Sequence, residues 1–102
     1  MMKQNSFNLS EMSLDKQKAP FVYTDEQLIA RFQAGDENAY IELVNRFRDR
    51  LINFVCQFLG DREQSEDVVQ DTMLKLYVKK HYYREIAKFS TWIYTIARNL
   101  AN

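Results

Sequence analysis

The sequence predicts an all-α protein, a compact bundle of about four helices, and three observations indicate it. Only 2 glycines and 1 proline occur among the 102 residues, so tight turns are too scarce for a strand-rich fold. Hydrophobic residues make up 46% of the chain, and over most of it they recur at steps of three and four, the period of one helix face. Helix start and stop residues separate these stretches. A chain of this length is expected to form one domain with a core of modest size.

Residues 1–23 show no sustained helical period and include the single proline, Pro20. We therefore predict a flexible N-terminal leader over 1–23 and a structured domain over 24–102. Phe21, Val22 and Tyr23 are apolar enough to pack against the edge of that domain.

The first helix is predicted to begin at Thr24, because the sequence TDEQ has the form of a capping box with acids in the first turn. Leu28, Ile29 and Phe32 form its apolar face, and Gly35 is expected to stop it.

The second predicted helix is capped by Asp36, runs to Leu59 and ends at Gly60. Its apolar stripe covers about half of the circumference, since each residue turns by about 100°. So broad a stripe predicts a central helix that packs against more than one neighbour. The stripe consists of Tyr40, Ile41, Leu43, Val44, Phe47, Leu51, Ile52, Phe54, Phe58 and Leu59.

The third predicted helix begins within 61–65 and runs to about Lys80, and it has two faces that are unsuited to plain solvent. Val69, Met73 and Leu76 form an ordinary core face. Aliphatic residues on the midline of the other, polar face are unusual unless something covers them. Either another helix of the same domain packs there, or a partner protein docks there and pairs basic groups with the acids. This second face carries Asp67, Gln70, Asp71, Leu74 and Val78.

Residues 81–88 have no clean period and are predicted to form a loop. Ser90 is expected to cap the last helix. The side chains predicted to face the core are Ile93, Ile96, Ala97 and Leu100. Those predicted on the opposite side are Thr91, Tyr94, Thr95, Arg98 and Asn102, with Trp92 and Asn99 on the border.

The zero net charge of the chain conceals a strong asymmetry between its two halves. Residues 25–74 hold eleven acids against five arginines, a balance of −6, whereas residues 75–102 hold six bases against one acid, a balance of +5. Such a separation predicts two unlike partners, one for each half.

The basic half interleaves cations with aromatic and small hydrogen-bonding side chains. Single-stranded nucleic acid is bound by this mixture, since cations follow the phosphates and rings stack on bases with about 1–3 kcal/mol each. Stacking of that size also helps to offset the unpairing of a base. The alternative is that Trp92 and Tyr94 pack beneath the loop while the lysines are only solvated. The residues concerned are Lys79, Lys80, Tyr82, Tyr83, Arg84, Lys88, Thr91, Trp92, Tyr94, Thr95, Arg98 and Asn99.

Other classes of function find little support. One cysteine, Cys56, excludes an intramolecular disulfide, and the single His81 has no companion at ligand spacing, so neither a metal nor another cofactor is expected. No glycine-rich phosphate loop or nucleophile set is present, which argues against an enzyme. No apolar run approaches the roughly 18 residues that cross a membrane, so a cytoplasmic protein is expected.

Three stretches together resemble region 2 of bacterial sigma-70 family sigma factors, especially the extracytoplasmic-function (ECF) group. They are DEQLI…GDENAY at 25–40, EDVVQDT at 66–72 and FSTWIYTIARN at 89–99. The resemblance covers 24–102, and the last two stretches are more specific together than either alone. It implies a compact helical bundle that binds core RNA polymerase and the promoter −10 element without performing catalysis itself.

The resemblance also implies roles for particular residues. The helix at 66–77 would dock on the clamp helices of the polymerase largest subunit through Asp67, Gln70, Asp71 and Leu74. The loop and the last helix would recognise the −10 element and hold a base flipped from the non-template strand. Trp92 would be either a strand-separating wedge or a core residue that supports the loop. The implied DNA-binding set is Lys80, Arg84, Lys88, Ser90, Thr91, Trp92, Tyr94, Thr95, Arg98 and Asn99.

Members of this family are regulated by anti-sigma factors, so a partner of that kind covering either face is implied. The chain stops at Asn102 inside its last predicted helix, and we expect a fragment that lacks the C-terminal region 4 domain, which reads the −35 element. The competing hypothesis is a helical protein-interaction module on the same scaffold without DNA binding.

Overall fold

The central element of the fold is a long helix around which three others pack. The computed structural model describes residues 22–102, which contain four α-helices and no strand, as the predicted all-α class requires. The long helix α2, Glu37–Leu59, contacts α1 (Asp25–Gln33), α3 (Arg62–Val78) and α4 (Phe89–Ala101). One turn of 3₁₀ helix, Lys80–Tyr82, follows α3 and begins the connection to α4.

The predicted leader lies almost entirely outside the described residues, and so does Phe21. At the boundary, the ring of Tyr23 packs against the core, and the Arg31 guanidinium carbon lies 4.7 Å from its centroid. Val22 is exposed, so of the two described residues only Tyr23 packs against the domain.

Local capping signals determine most helix ends. The Thr24 hydroxyl accepts a hydrogen bond from the Gln27 amide at 3.0 Å, and the Gln27 side chain accepts one from the Thr24 amide at 2.9 Å, which completes the predicted capping box. The carboxylates of Asp36 and Asp61 cap α2 and α3 by accepting from the amides of Asn38 and Gln64, without a reciprocal bond among the described residues. Gly60 ends α2 with a left-handed backbone, φ 69°.

The core forms where the apolar faces of the four helices meet along α2. The prediction for Ile41 was wrong, because its side chain is 54% exposed. The preceding residue, Tyr40, packs against Phe32 of α1 in a tilted pair and against Tyr77 of α3 edge-to-face, with ring centroids 5.0 Å apart in each case. Ile41 lies about 100° further round the helix and therefore faces outward. The buried apolar residues on these four faces are Leu28, Ile29, Phe32, Ala39, Leu43, Phe47, Leu51, Ile52, Val55, Val69, Met73, Leu76, Phe89, Ile93 and Ala97.

The start of α4 differs from the prediction. Lys88, not Ser90, occupies the cap position, and its side chain makes no capping hydrogen bond. The amide of Phe89 instead donates to a carboxylate oxygen of Glu26, on α1, at 2.8 Å. One amide of the first turn is therefore capped by a residue distant in sequence, which local capping rules do not reveal.

Candidate functional site

The polar second face of α3 is open to solvent. Leu74 and Val78 are 61% and 66% exposed, and none of the described helices covers them. The interpretation that another helix of the domain packs there is therefore wrong for residues 22–102. The inner face of α3 is wider than predicted, because the hydroxyls of Ser65 and Thr72 are buried and donate to backbone carbonyls one turn earlier. The exposed face consists of Asp67, Gln70, Asp71, Leu74 and Val78.

This face changes character along its length. At its N-terminal end, Asp67 and Gln70 border a cavity of about 320 Å³ together with Arg48 of α2. At its C-terminal end, Leu74 and Val78 border a more open depression with Leu100 of α4. Leu100, predicted to face the core, is 36% exposed and extends the aliphatic end of this surface instead.

Trp92 supports the connection between α3 and α4. Its ring lies 5.4 Å from the centroid of Tyr83 and 5.9 Å from that of Phe89. The Tyr83 hydroxyl donates to the Ala87 carbonyl, and burial raises the pKa of this phenol. Trp92 thus packs against a loop that is stabilised by a hydrogen bond within it, from Tyr83 to Ala87.

The exposed edge of Trp92 also borders a groove of about 390 Å³ between α3, the 3₁₀ turn and α4. Asn99 and Ile96 line it from α4, and the Lys79 ammonium lies 4.7 Å from the ring centroid of Tyr82. The groove combines cations and aromatic rings. Lys75 and Ile96 were not assigned to this surface from the sequence, although the spacing of Lys75 and Lys79 places them on one helix face.

Tyr94 was predicted to face outward, but it packs against α2. Its ring packs 4.8 Å from the centroid of Phe54 and 6.4 Å from that of Phe47, both on α2. The aromatic stripe of α2 is broad enough to cover this flank of α4. Next to it, the Arg98 guanidinium carbon lies 4.8 Å from the centroid of Phe58, and the side chain of Arg98 remains exposed.

The remaining outer face of α4 is polar. Thr91 and Thr95 are exposed, and the Thr95 hydroxyl donates to the Thr91 carbonyl at 2.7 Å, which leaves its oxygen lone pairs free to accept. Ser90 is half-buried.

The cations of the connection point in different directions. Arg84 and Lys88 are exposed, and Arg84 donates to the His81 carbonyl at 2.9 Å. The ammonium of Lys80 instead lies over the rings of Phe32 and Tyr77, 4.7 Å and 5.1 Å from their centroids. Lys80 therefore faces α1 and α3, apart from the groove that α4 lines.

Within residues 22–102, no group of three or more His, Cys, Asp or Glu side chains is arranged to hold a metal ion. No helix in this part of the protein has the length and apolarity to span a bilayer.

These features define a helical binding domain with an acidic, aliphatic face on α3 and a cationic, aromatic surface between α3 and α4. The family model for Sigma-70 region 2 matches residues 43–102, and the chain belongs to this family. The resemblance noted in the sequence is thereby confirmed.

Curated relatives include sigma factors of the ECF group. The chain is 34% identical over 77 residues to the RNA polymerase sigma-H factor of Pseudomonas aeruginosa, covering 76% of the chain and 40% of the relative. It is 32% identical over 72 residues to the ECF RNA polymerase sigma factor SigW of Bacillus subtilis, covering 71% and 38%. For the ECF RNA polymerase sigma-E factor of Escherichia coli the identity is 35% over 78 residues, covering 76% and 40%. The chain thus spans about 40% of the length of these relatives.

Among solved structures, the fold is similar to an engineered region 2 of sigmaE, determined by NMR in complex with GTAAAA. The TM-score is 0.71 at 35% identity, and the likeness covers 78% of this chain and 82% of the other.

Proposed function

We propose that residues 24–102 are region 2 of an ECF sigma factor, which binds core RNA polymerase and recognises and melts the promoter −10 element. The observation that carries this proposal is the likeness to region 2 of sigmaE, which was solved with GTAAAA bound. The domain binds and positions, and the polymerase performs the chemistry in the cytoplasm. An anti-sigma factor is the regulatory partner proposed with this role.

The exposed face of α3 is the proposed polymerase contact, and the clamp helices of the largest subunit are its proposed partner. The acids can pair basic groups at the rim, while the aliphatic side chains exclude water at the centre. The exposure of Leu74 supports this, because a large aliphatic side chain between acids gains free energy only when a partner covers it. The contact set is Asp67, Gln70, Asp71 and Leu74.

The groove and the outer face of α4 are the proposed contacts of the non-template strand. Trp92 and Tyr82 offer ring surface for an unstacked base, and Asn99 offers hydrogen bonds beside them. Tyr94 and Lys80 belong to the supporting structure in this proposal, because both are half-buried against rings of other helices, whereas Arg98 is exposed. Lys75 and Lys79 are the proposed cations of the groove itself. The proposed contacts on the connection and on α4 are Arg84, Lys88, Ser90, Thr91, Thr95 and Arg98.

A salt titration tests the DNA half of the proposal. The affinity of the chain for single-stranded GTAAAA and for a shuffled oligonucleotide would be measured over a range of salt, with and without core polymerase. We expect GTAAAA to bind more tightly and the logarithm of the affinity to fall with the logarithm of salt by about 0.7 per phosphate contact. An affinity that does not depend on salt concentration, or no binding even with core polymerase, would favour the alternative of a helical protein-interaction module without DNA binding.

A further inference from the structure

We propose that α1 positions the DNA-binding connection, residues 80–89, by holding both of its ends through Gln33 and Glu26. This inference rests on the proposed function, and neither residue was assigned a role in binding from the sequence. Within the described residues, α1 contacts both the 3₁₀ turn and α4.

The first anchor holds the end of the connection where α4 begins. The first amides of a helix have no partner within it, and α4 has no side-chain cap of its own. The Glu26 carboxylate accepts the Phe89 amide at 2.8 Å from 63 residues away in the chain, in a partly buried site. A carboxylate there also interacts favourably with the helix dipole.

The second anchor holds the end that follows α3. The side-chain amide of Gln33 donates to the Lys80 carbonyl at 2.7 Å and to the Tyr83 carbonyl at 3.3 Å, both in partly buried surroundings. Gln33 therefore fixes the backbone of the 3₁₀ turn against α1.

The two anchors act from one side of α1. Glu26 and Gln33 are seven residues apart, which is nearly two full turns, so they lie on the same face roughly 10 Å apart along the axis. Between the held ends the tip remains free to contact a ligand, since Ile86 is 95% exposed and Arg84 and Lys88 are exposed on either side. Because both ends of the connection are held, it loses less conformational entropy when it binds DNA, which raises the affinity.

The test compares Glu26→Ala and Gln33→Ala with Glu26→Gln, which keeps an acceptor oxygen at the same place. Glu42→Ala is the matched control, because it also removes one carboxylate, but one that pairs with Arg46 on α2 and not with the connection. Amide hydrogen exchange of residues 80–89, thermal unfolding, and affinity for single-stranded GTAAAA at fixed salt would be measured on the full chain.

We expect Glu26→Ala to speed exchange of the Phe89 amide and to weaken oligonucleotide binding by roughly 3- to 10-fold, the size of the loss of one helix cap. Gln33→Ala should affect the amides near Tyr83 and weaken binding similarly, whereas Glu26→Gln should restore most of both properties. Because the hydrogen bond from Phe89 to Glu26 also stabilises the start of α4, the thermal midpoint of Glu26→Ala should lie roughly 4–8 °C below that of Glu42→Ala.

Unchanged exchange at Phe89 in Glu26→Ala would overturn the proposal, and so would faster exchange with wild-type affinity. An equal loss of affinity in Glu42→Ala would overturn it as well. If the wild-type chain binds no oligonucleotide, the proposed function fails instead. The exchange data then decide separately whether α1 holds the connection.

Discussion

The same substitution at two neighbouring positions of α3 separates its outer face from its core. Leu74 is 61% exposed, whereas Leu76 is fully buried. Leu76→Ala would leave a cavity in the core, so we expect the free energy of unfolding to fall by about 2–5 kcal/mol. Leu74→Ala removes no core contact and should change it by less than about 0.5 kcal/mol.

Polymerase binding should respond in the opposite way. If core polymerase buries Leu74, its truncation removes an apolar contact of about 1–3 kcal/mol, which weakens binding roughly five- to hundredfold. Leu76→Ala, assayed at a temperature at which it is folded, should bind within a few-fold of wild type. Val22→Ala is the control, because Val22 is also an exposed aliphatic residue but precedes α1.

Denaturant unfolding followed by circular dichroism measures the stability of each variant. Competition with the labelled wild-type chain for core polymerase measures binding. A fall of more than about 1 kcal/mol in the free energy of unfolding of Leu74→Ala would contradict an outward-facing Leu74. Competition for core polymerase equal to that of the wild-type chain would contradict its role in polymerase binding.

Three further predictions concern a helix end, a cation and a phenol. Gly60→Ala should lower the free energy of unfolding, measured with urea, by about 1–2 kcal/mol, because φ at this position is 69° and alanine disfavours it. Backbone strain is the only cause, since an added Cβ would meet no atom within 4 Å. An unchanged free energy of unfolding would show that the turn relaxes. Arg98→Ala should reduce the slope of the logarithm of GTAAAA affinity against the logarithm of salt concentration by about 0.7, the share of one phosphate contact. Arg31→Ala removes a similarly ring-stacked cation from α1 and should leave this slope unchanged. The Tyr77 hydroxyl donates to the Glu37 carboxylate at 3.1 Å, which raises the pKa of Tyr77, so Glu37→Gln should lower that pKa in an absorbance titration. The pKa of Tyr77 is higher in the folded state than in the unfolded state. The hydrogen bond of Tyr77 therefore contributes fully to stability below about pH 10, and this contribution is lost as the pH rises through the folded pKa. Across that pH range, the free energy of unfolding should fall more in the wild type than in Glu37→Gln.

The helices and most of their ends follow from the sequence alone. Thr24, Asp36, Gly60 and Asp61 act on backbone groups within a few residues, so the chemistry that stops and starts these helices is local and visible in the letters. The period of apolar residues likewise determines which side of each helix is buried at its centre.

The edges of the helices are different, because they depend on the neighbour that tertiary packing brings alongside. Tyr94 lies on a flank of α4 that the helical period assigns to solvent, yet the broad aromatic stripe of α2 covers it. Leu100, which the same period assigns to the core, is left partly exposed where α3 ends. Lys80 turns to rings on α1 and α3 for the same reason.

The outer face of α3 and the start of α4 show how far each source of information extends. Leu74 and the acids around it share one side of a helix, which follows from the sequence because it requires only the turn per residue. The packing of the helices leaves this side open among the described residues and brings Glu26 to the Phe89 amide at the start of α4. Solvent exposure and a hydrogen bond across 63 residues both depend on how whole helices are placed, which a local period does not contain.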